Sequence, residues 1–159
     1  MVPCTSRKQP TGIVLSRQNL PLLKETGKGA LKGAYILQDC EGTPDVILMA
    51  TGSEVELIYK AYDVLTEKGI KVRTVSMPSF EVFEEQSAEY KESVLPNSVR
   101  NRVAVEAACD FGWYKYVGLD GKVVCMEGFG ESAPAGKLFE KFGFTVDNVV
   151  NAALEVLNK

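Results

Sequence analysis

Histidine is missing altogether from the 159 residues. That excludes the commonest general base near neutral pH, the catalytic triads that turn on an imidazole, and most zinc sites. Cys4, Cys40, Cys109 and Cys125 stand far apart, and no Cys-x-x-Cys pair suggests a zinc ribbon or a dithiol motif. No apolar run approaches the roughly 18–20 residues that span a bilayer. Met1-Val2-Pro3-Cys4-Thr5-Ser6-Arg7-Lys8 is polar and basic where a signal peptide carries its apolar segment. Dispersed thiols without such a signal point to a reducing, cytoplasmic setting. A basic excess is lacking too: 18 Lys and Arg face 21 Asp and Glu, a formal net charge of -3, so the composition predicts neither a nucleic-acid nor a membrane partner. Internal repeats and low-complexity tracts are absent.

What is present is ordinary globular material, 45% hydrophobic and 25% charged, enough for one domain with a sizeable core. Its centre is the stretch from Asp45 to Gly69. Val46-Ile47-Leu48-Met49-Ala50 is a continuous apolar run, as expected of a strand buried on both faces of a parallel sheet. Gly52 allows a tight turn, and Ser53 with Glu56 three residues on reads as a capping box. Val55, Ile58, Ala61, Tyr62 and Leu65 then share one helical face, with Gly69 as the stop. Ile70 to Ser76 is a second strand, completing a right-handed β-α-β unit.

Around this unit the remaining elements are short. Thr11 to Leu15 reads as an apolar strand that breaks at Arg17-Gln18-Asn19 before Pro21, and Pro21 to Lys32 as a linker. Gly27, Gly29 and Gly33 are a near miss to a dinucleotide loop, without the strand and helix that such a loop requires. Ala34 to Asp39 is a strand too close in sequence to the next one for a parallel crossover, which makes it antiparallel and places it near an edge. Phe80 to Leu95 holds one or two helices with Glu81, Glu84, Glu85, Glu89 and Glu92 outward, and Arg102 to Glu106 is a further strand. A short aromatic helix spans Asp110 to Tyr116, with its rings read as core, and Lys122 to Glu127 is the last strand. Ser132 is the expected cap of a helix ending at Gly143, and Thr145 the cap of a final amphipathic helix. The predicted fold is therefore α/β, a three-layer α/β/α sandwich around a mixed, mostly parallel sheet of about five strands with one antiparallel strand.

Ligands of open α/β sheets sit beyond the carboxyl ends of the strands. Here that edge collects Thr51, Gly52, Ser53, Glu54, Met77, Glu106 and Ala107, near Gly128 and Gly130. Its acidity, with Glu54, Glu56, Glu106, Glu127 and Glu131, opposes a phosphate at the Ser53 helix start. Spacing selects no carboxylate pair for acid–base work. Arg17 reads either as an anion contact or as a solvated arginine.

Several segments nevertheless resemble one family throughout. Leu15-Ser16-Arg17-Gln18-Asn19-Leu20-Pro21, Ala50-Thr51-Gly52-Ser53-Glu54-Val55, Val75-Ser76-Met77-Pro78, Ser93-Val94-Leu95-Pro96 and Phe129-Gly130-Glu131-Ser132-Ala133-Pro134 are similar, in order and spacing, to the C-terminal region of transketolases. The resemblance runs from about Pro10 to the end. It implies that residues 1–32 are the end of a preceding domain, with its last strand and a linker, and that residues 33–159 are the transketolase C-terminal α/β domain.

The resemblance implies a parent enzyme that moves a two-carbon ketol unit from a ketose phosphate to an aldose phosphate in the pentose phosphate pathway. Thiamine diphosphate and a divalent metal, Mg or Ca, bind between the other two domains of that homodimer, so the residues here are expected to hold no cofactor or metal and no catalytic group. Arg17 is the one functional residue carried over, matching the arginine that binds the substrate phosphate. Alone, the chain is expected to be inactive, structural and dimer-supporting, with residues 1 to about 28 mobile or paired with another copy. A different class remains: a free-standing module binding a small regulatory ligand at the Ser53 and Glu106 edge. A split enzyme with this chain as one subunit fits less well, since such a subunit would keep its second domain whole.

Overall fold

Val46, Leu48 and Ala50 point to one side of the sheet and Ile47 and Met49 to the other, and all five are fully buried. A strand with no solvent face must lie in the middle, and this one does. In the computed structural model, which describes residues 10–158, five strands form one sheet in the order β1-β3-β2-β4-β5. They are β1 (Tyr35–Gln38), β2 (Val46–Ala50), β3 (Val72–Ser76), β4 (Arg102–Glu106) and β5 (Lys122–Cys125). Only β1 runs antiparallel, at the edge expected for it. Its ladder slips between Ile36 and Gln38. The buried Thr74 hydroxyl repairs the gap, accepting from Gln38 N at 3.0 Å and donating to Gln38 Oε1 at 3.2 Å.

Helices cover both faces. On one lie α1 (Val55–Glu67) and α6 (Val146–Leu157), whose Ile58, Ala61, Leu65, Val149 and Ala153 meet Leu48, Val72, Val103 and Val105. On the other lie α2 (Phe80–Glu84), α3 (Ala88–Val94) and α4 (Tyr114–Val117), where Phe83, Val94, Trp113 and Tyr116 cover Ile47, Met49 and Ala104. The short α5 (Ala135–Lys141) follows β5. This is the three-layer sandwich expected. Ser79, Ser87 and Thr145 cap α2, α3 and α6, each accepting from a backbone amide three residues on.

The amino ends of the strands are held by two arginines. Arg73 forks onto Asp39 at 2.8 and 2.9 Å, and Arg102 donates to the carbonyls of Val99, Tyr116, Leu95 and Pro96 at 2.7–3.2 Å. Gly33 opens the body with φ +82, and a Cβ there would stand 2.2 Å from Phe83 N. Only glycine fits that junction.

Four expectations change. Residues 11–15 form no strand: Ile13, Val14 and Leu15 are exposed, with no neighbouring strand among the described residues to complete their hydrogen bonds. The capping box is not made, because Gly52–Glu54 already turns as a 3-10 helix and the Ser53 hydroxyl is spent on Glu54, while Glu56 pairs with Lys60. Ser132 is not a cap either; Pro134 stands at the N-cap of α5, with no side-chain cap hydrogen bond there. The aromatic segment is split, with Trp113 and Tyr116 in the core and Phe111 and Tyr114 facing solvent, because α4 spans a single turn. Residues 1–9, Cys4 among them, and Lys159 lie outside the described residues, so the expectation for the chain's opening can be followed only from Pro10.

Candidate functional site

The carboxyl end of the sheet is built by the turn after β2 and the loops after β4 and β5. Gly52 takes φ +59, and this sharp turn directs Glu54 back under the sheet, where it is 4% exposed. Its carboxylate accepts from the Ser53 hydroxyl and interacts with the Ala107 backbone N–H just past β4. Burial raises the Glu54 pKa, and those two hydrogen bonds oppose the rise. Glu106, the last residue of β4, accepts from Trp113 Nε1 at 3.3 Å. Its carboxyl is pushed up to about 7, first by burial and then by the Glu54 charge, against the Trp113 bond.

Burial thus raises both carboxyls, and the Glu54 charge adds to the rise at Glu106. Both residues fall on the edge read from the sequence, whereas the effect of Glu54 on Glu106 and the Trp113 contact are not legible there. Only the indole, an aromatic seven residues after Glu106, hints at that contact.

Next to Glu106 lies an apolar cavity of about 350 Å³, lined by Ala107, Cys109, Met126, Leu138, Phe139 and Phe142 among others. Glu131 stands at its rim, paired with Lys141. No Lys or Arg is among the residues lining this cavity, so it lacks the cationic donors that hold a diphosphate such as that of thiamine diphosphate. Nor do three or more His, Cys, Asp or Glu side chains come together as a metal site among the described residues.

Arg17 lies elsewhere on the same end. It is exposed in a bend of the arm, residues 10–32, and meets no carboxylate among the described residues. The arm runs past the end of β2, where Ser16 Oγ would stand 3.7 Å from a Cβ on Gly52. Further on it is tied down: Leu23 packs on the core, and Tyr59 Oη donates to Glu25 at 3.2 Å. Arg17 thus projects from the exposed stretch that precedes these anchors, with its guanidinium available to an anion. The Ser53 helix start offers no such place, since Glu54 already occupies it.

Residues 33–145 match the family model of the transketolase-like C-terminal domain. Transketolase 2 of Vibrio parahaemolyticus is 56% identical over 151 residues, covering 93% of this chain and 23% of that protein. Among solved structures, transketolase from Leishmania mexicana superposes with a TM-score of 0.83 at 40% identity, covering 89% of this chain and 20% of that one. Transketolase from Pichia stipitis, in complex with sedoheptulose-7-phosphate, gives a TM-score of 0.81 at 40% identity, with the same coverage of 89% and 20%. The chain spans about a quarter of the length of the curated relatives it matches.

Proposed function

The chain belongs to the transketolase family, as its C-terminal domain, and from that premise we propose that it serves a transferase acting on sugar phosphates. That enzyme moves a two-carbon ketol unit from a ketose phosphate to an aldose phosphate, in the pentose phosphate pathway of the cytoplasm. Residues 33–159 are its third domain; residues 1–32 are the end of the second and the linker. Thiamine diphosphate and a divalent metal, Mg or Ca, belong to the other domains of a homodimer, and supply the carbon chemistry there. On this reading the chain alone is inactive, and its contribution is structural and dimer-supporting.

Arg17 is the one residue here that reaches the substrate, by holding its phosphate. The observation that carries this is its position: an exposed arginine on the stretch of the arm that precedes its anchors, within a segment resembling the family throughout. A guanidinium binds phosphate through a planar fork of donors, worth about 1.5–3 kcal/mol for charge-assisted hydrogen bonds. In the whole enzyme, Arg17→Ala is expected to raise KM for phosphorylated sugars roughly tenfold to a hundredfold, the factor to which that energy corresponds. Turnover of a non-phosphorylated ketose should hardly change. Equal losses on both substrates would refute the phosphate role.

The apolar cavity supports a second reading, a regulatory module for a small ligand. Titration calorimetry of the isolated chain separates the readings. Saturable heat with a nucleotide or sugar phosphate would favour the module, and binding of thiamine diphosphate with magnesium would overturn the assignment of the cofactor to other domains.

A further inference from the structure

Two thiols that the proposed function does not use lie near one another at the carboxyl end of the sheet. Cys125 closes β5, level with Glu106 of β4 in the parallel register. One residue on, Met126 N–H donates to the Ala108 carbonyl at 2.9 Å, so the segments after β4 and β5 stay joined beyond the regular ladder. Cys109 follows Ala108 directly and is exposed, while Cys125 is half-buried. The Asp110 main-chain N–H and the Cys109 thiol both act on the Cys125 thiol. A disulfide needs Cα atoms about 4.4–6.8 Å apart, and the Met126–Ala108 hydrogen bond joins the residues next to the two cysteines. Cys40 sits after β1, at the opposite edge of the sheet.

We propose that Cys109 and Cys125 are a redox site that closes reversibly into an intramolecular disulfide. The oxidant is a hydroperoxide. The exposed Cys109 thiolate attacks its outer oxygen, the O–O bond breaks, and water or an alcohol leaves, giving a sulfenic acid. The Cys125 thiol then attacks the Cys109 sulfur; the S–S bond forms, the S–O bond breaks, and the hydroxyl leaves as water with the Cys125 proton. In sum two thiols lose two electrons and the hydroperoxide gains them. The order of roles follows from the surroundings: burial, with the Asp110 and Glu127 charges, raises the Cys125 thiol and keeps it from reacting first. The bond fixes the loop after β4 onto β5, across the rim of the apolar cavity that Cys109 and Met126 line. A dithiol reductant opens it again.

The test is limiting hydrogen peroxide on the intact protein, alkylation of free thiols, and peptide mapping without reductant. The Cys109–Cys125 cross-link within one chain is expected as the main product, with a melting temperature above that of the reduced protein and full reversal by dithiothreitol. Cys125→Ser should leave a Cys109 sulfenic acid that dimedone traps, and Cys40→Ser should give the same cross-link as the natural chain. Oxidised Cys109 beside alkylatable Cys125 in the natural chain, or cross-links between chains or to Cys40, would overturn the proposal.

Discussion

In the arm, Ile13, Val14, Leu15 and Leu22 are 54%, 99%, 81% and 101% exposed, whereas Val46, Ile47, Leu48 and Met49 of β2 are wholly buried. The two stretches read alike as apolar runs. What separates them is neighbours: β2 has a parallel strand on each side and a helical layer on each face, while residues 13–15 have none among the described residues. An apolar run states that a segment is to be buried, not by which part of a protein. The body satisfies its own pattern, whereas the apolar run of residues 13–15 has no such cover among the described residues.

The contrast breaks hardest where the body is densest. Trp113 is 1% exposed, stands edge-on to Phe80 with ring centroids 4.9 Å apart, and holds Glu106. Trp113→Ala should cost about 3–5 kcal/mol of stability, read as a lowered urea midpoint. Gly33→Ala comes next, since it combines a left-handed backbone with a clash against the main chain of α2; about 1–3 kcal/mol is the scale of such strain. A loss below a few tenths would show that the start of the body gives way easily.

Acid–base linkage supplies a third probe. Glu106 titrates near 7 in the fold and near its ordinary value of 4.5 when unfolded. A raised carboxyl favours the folded state when protonated, so its contribution is full below pH about 4.5 and is lost as pH rises through about 7. Glu106→Gln should flatten the fall in stability over that window; an unchanged slope would show that burial and the Glu54 charge do not raise the Glu106 carboxyl. The smallest effect belongs to the arm: Leu15→Ala should shift stability by less than about 0.5 kcal/mol, as exposed substitutions do. A loss comparable to a core mutation would erase the distinction between arm and body.

The sequence carried the architecture because strand and helix periods are local. The two-sided burial of β2, the antiparallel edge of β1 and the cap at Thr145 all follow from runs of ten residues or fewer. Contacts between distant residues were hidden. Glu84 reads as one of several outward glutamates, yet it accepts from Tyr116 Oη at 2.9 Å and pairs with Lys115 and Lys91 at 2.9 and 3.3 Å. The Lys115 hydrogen bond leads in holding its carboxyl below the usual range. The effect of the Glu54 charge on Glu106 is hidden for the same reason. Ser53 misled in another way, because its spacing to Glu56 suits a cap, and its actual partner is the adjacent Glu54.

Hydrogen exchange of the isolated chain, resolved by residue, separates arm from body. The amides of β2 are expected to exchange only by global unfolding, while those of residues 13–15 exchange at nearly the rate of an unfolded peptide in a monomeric sample. Protection of residues 13–15 comparable to that of β2, in a monomer, would mean that this chain buries its own arm, and the contrast between arm and body would be wrong.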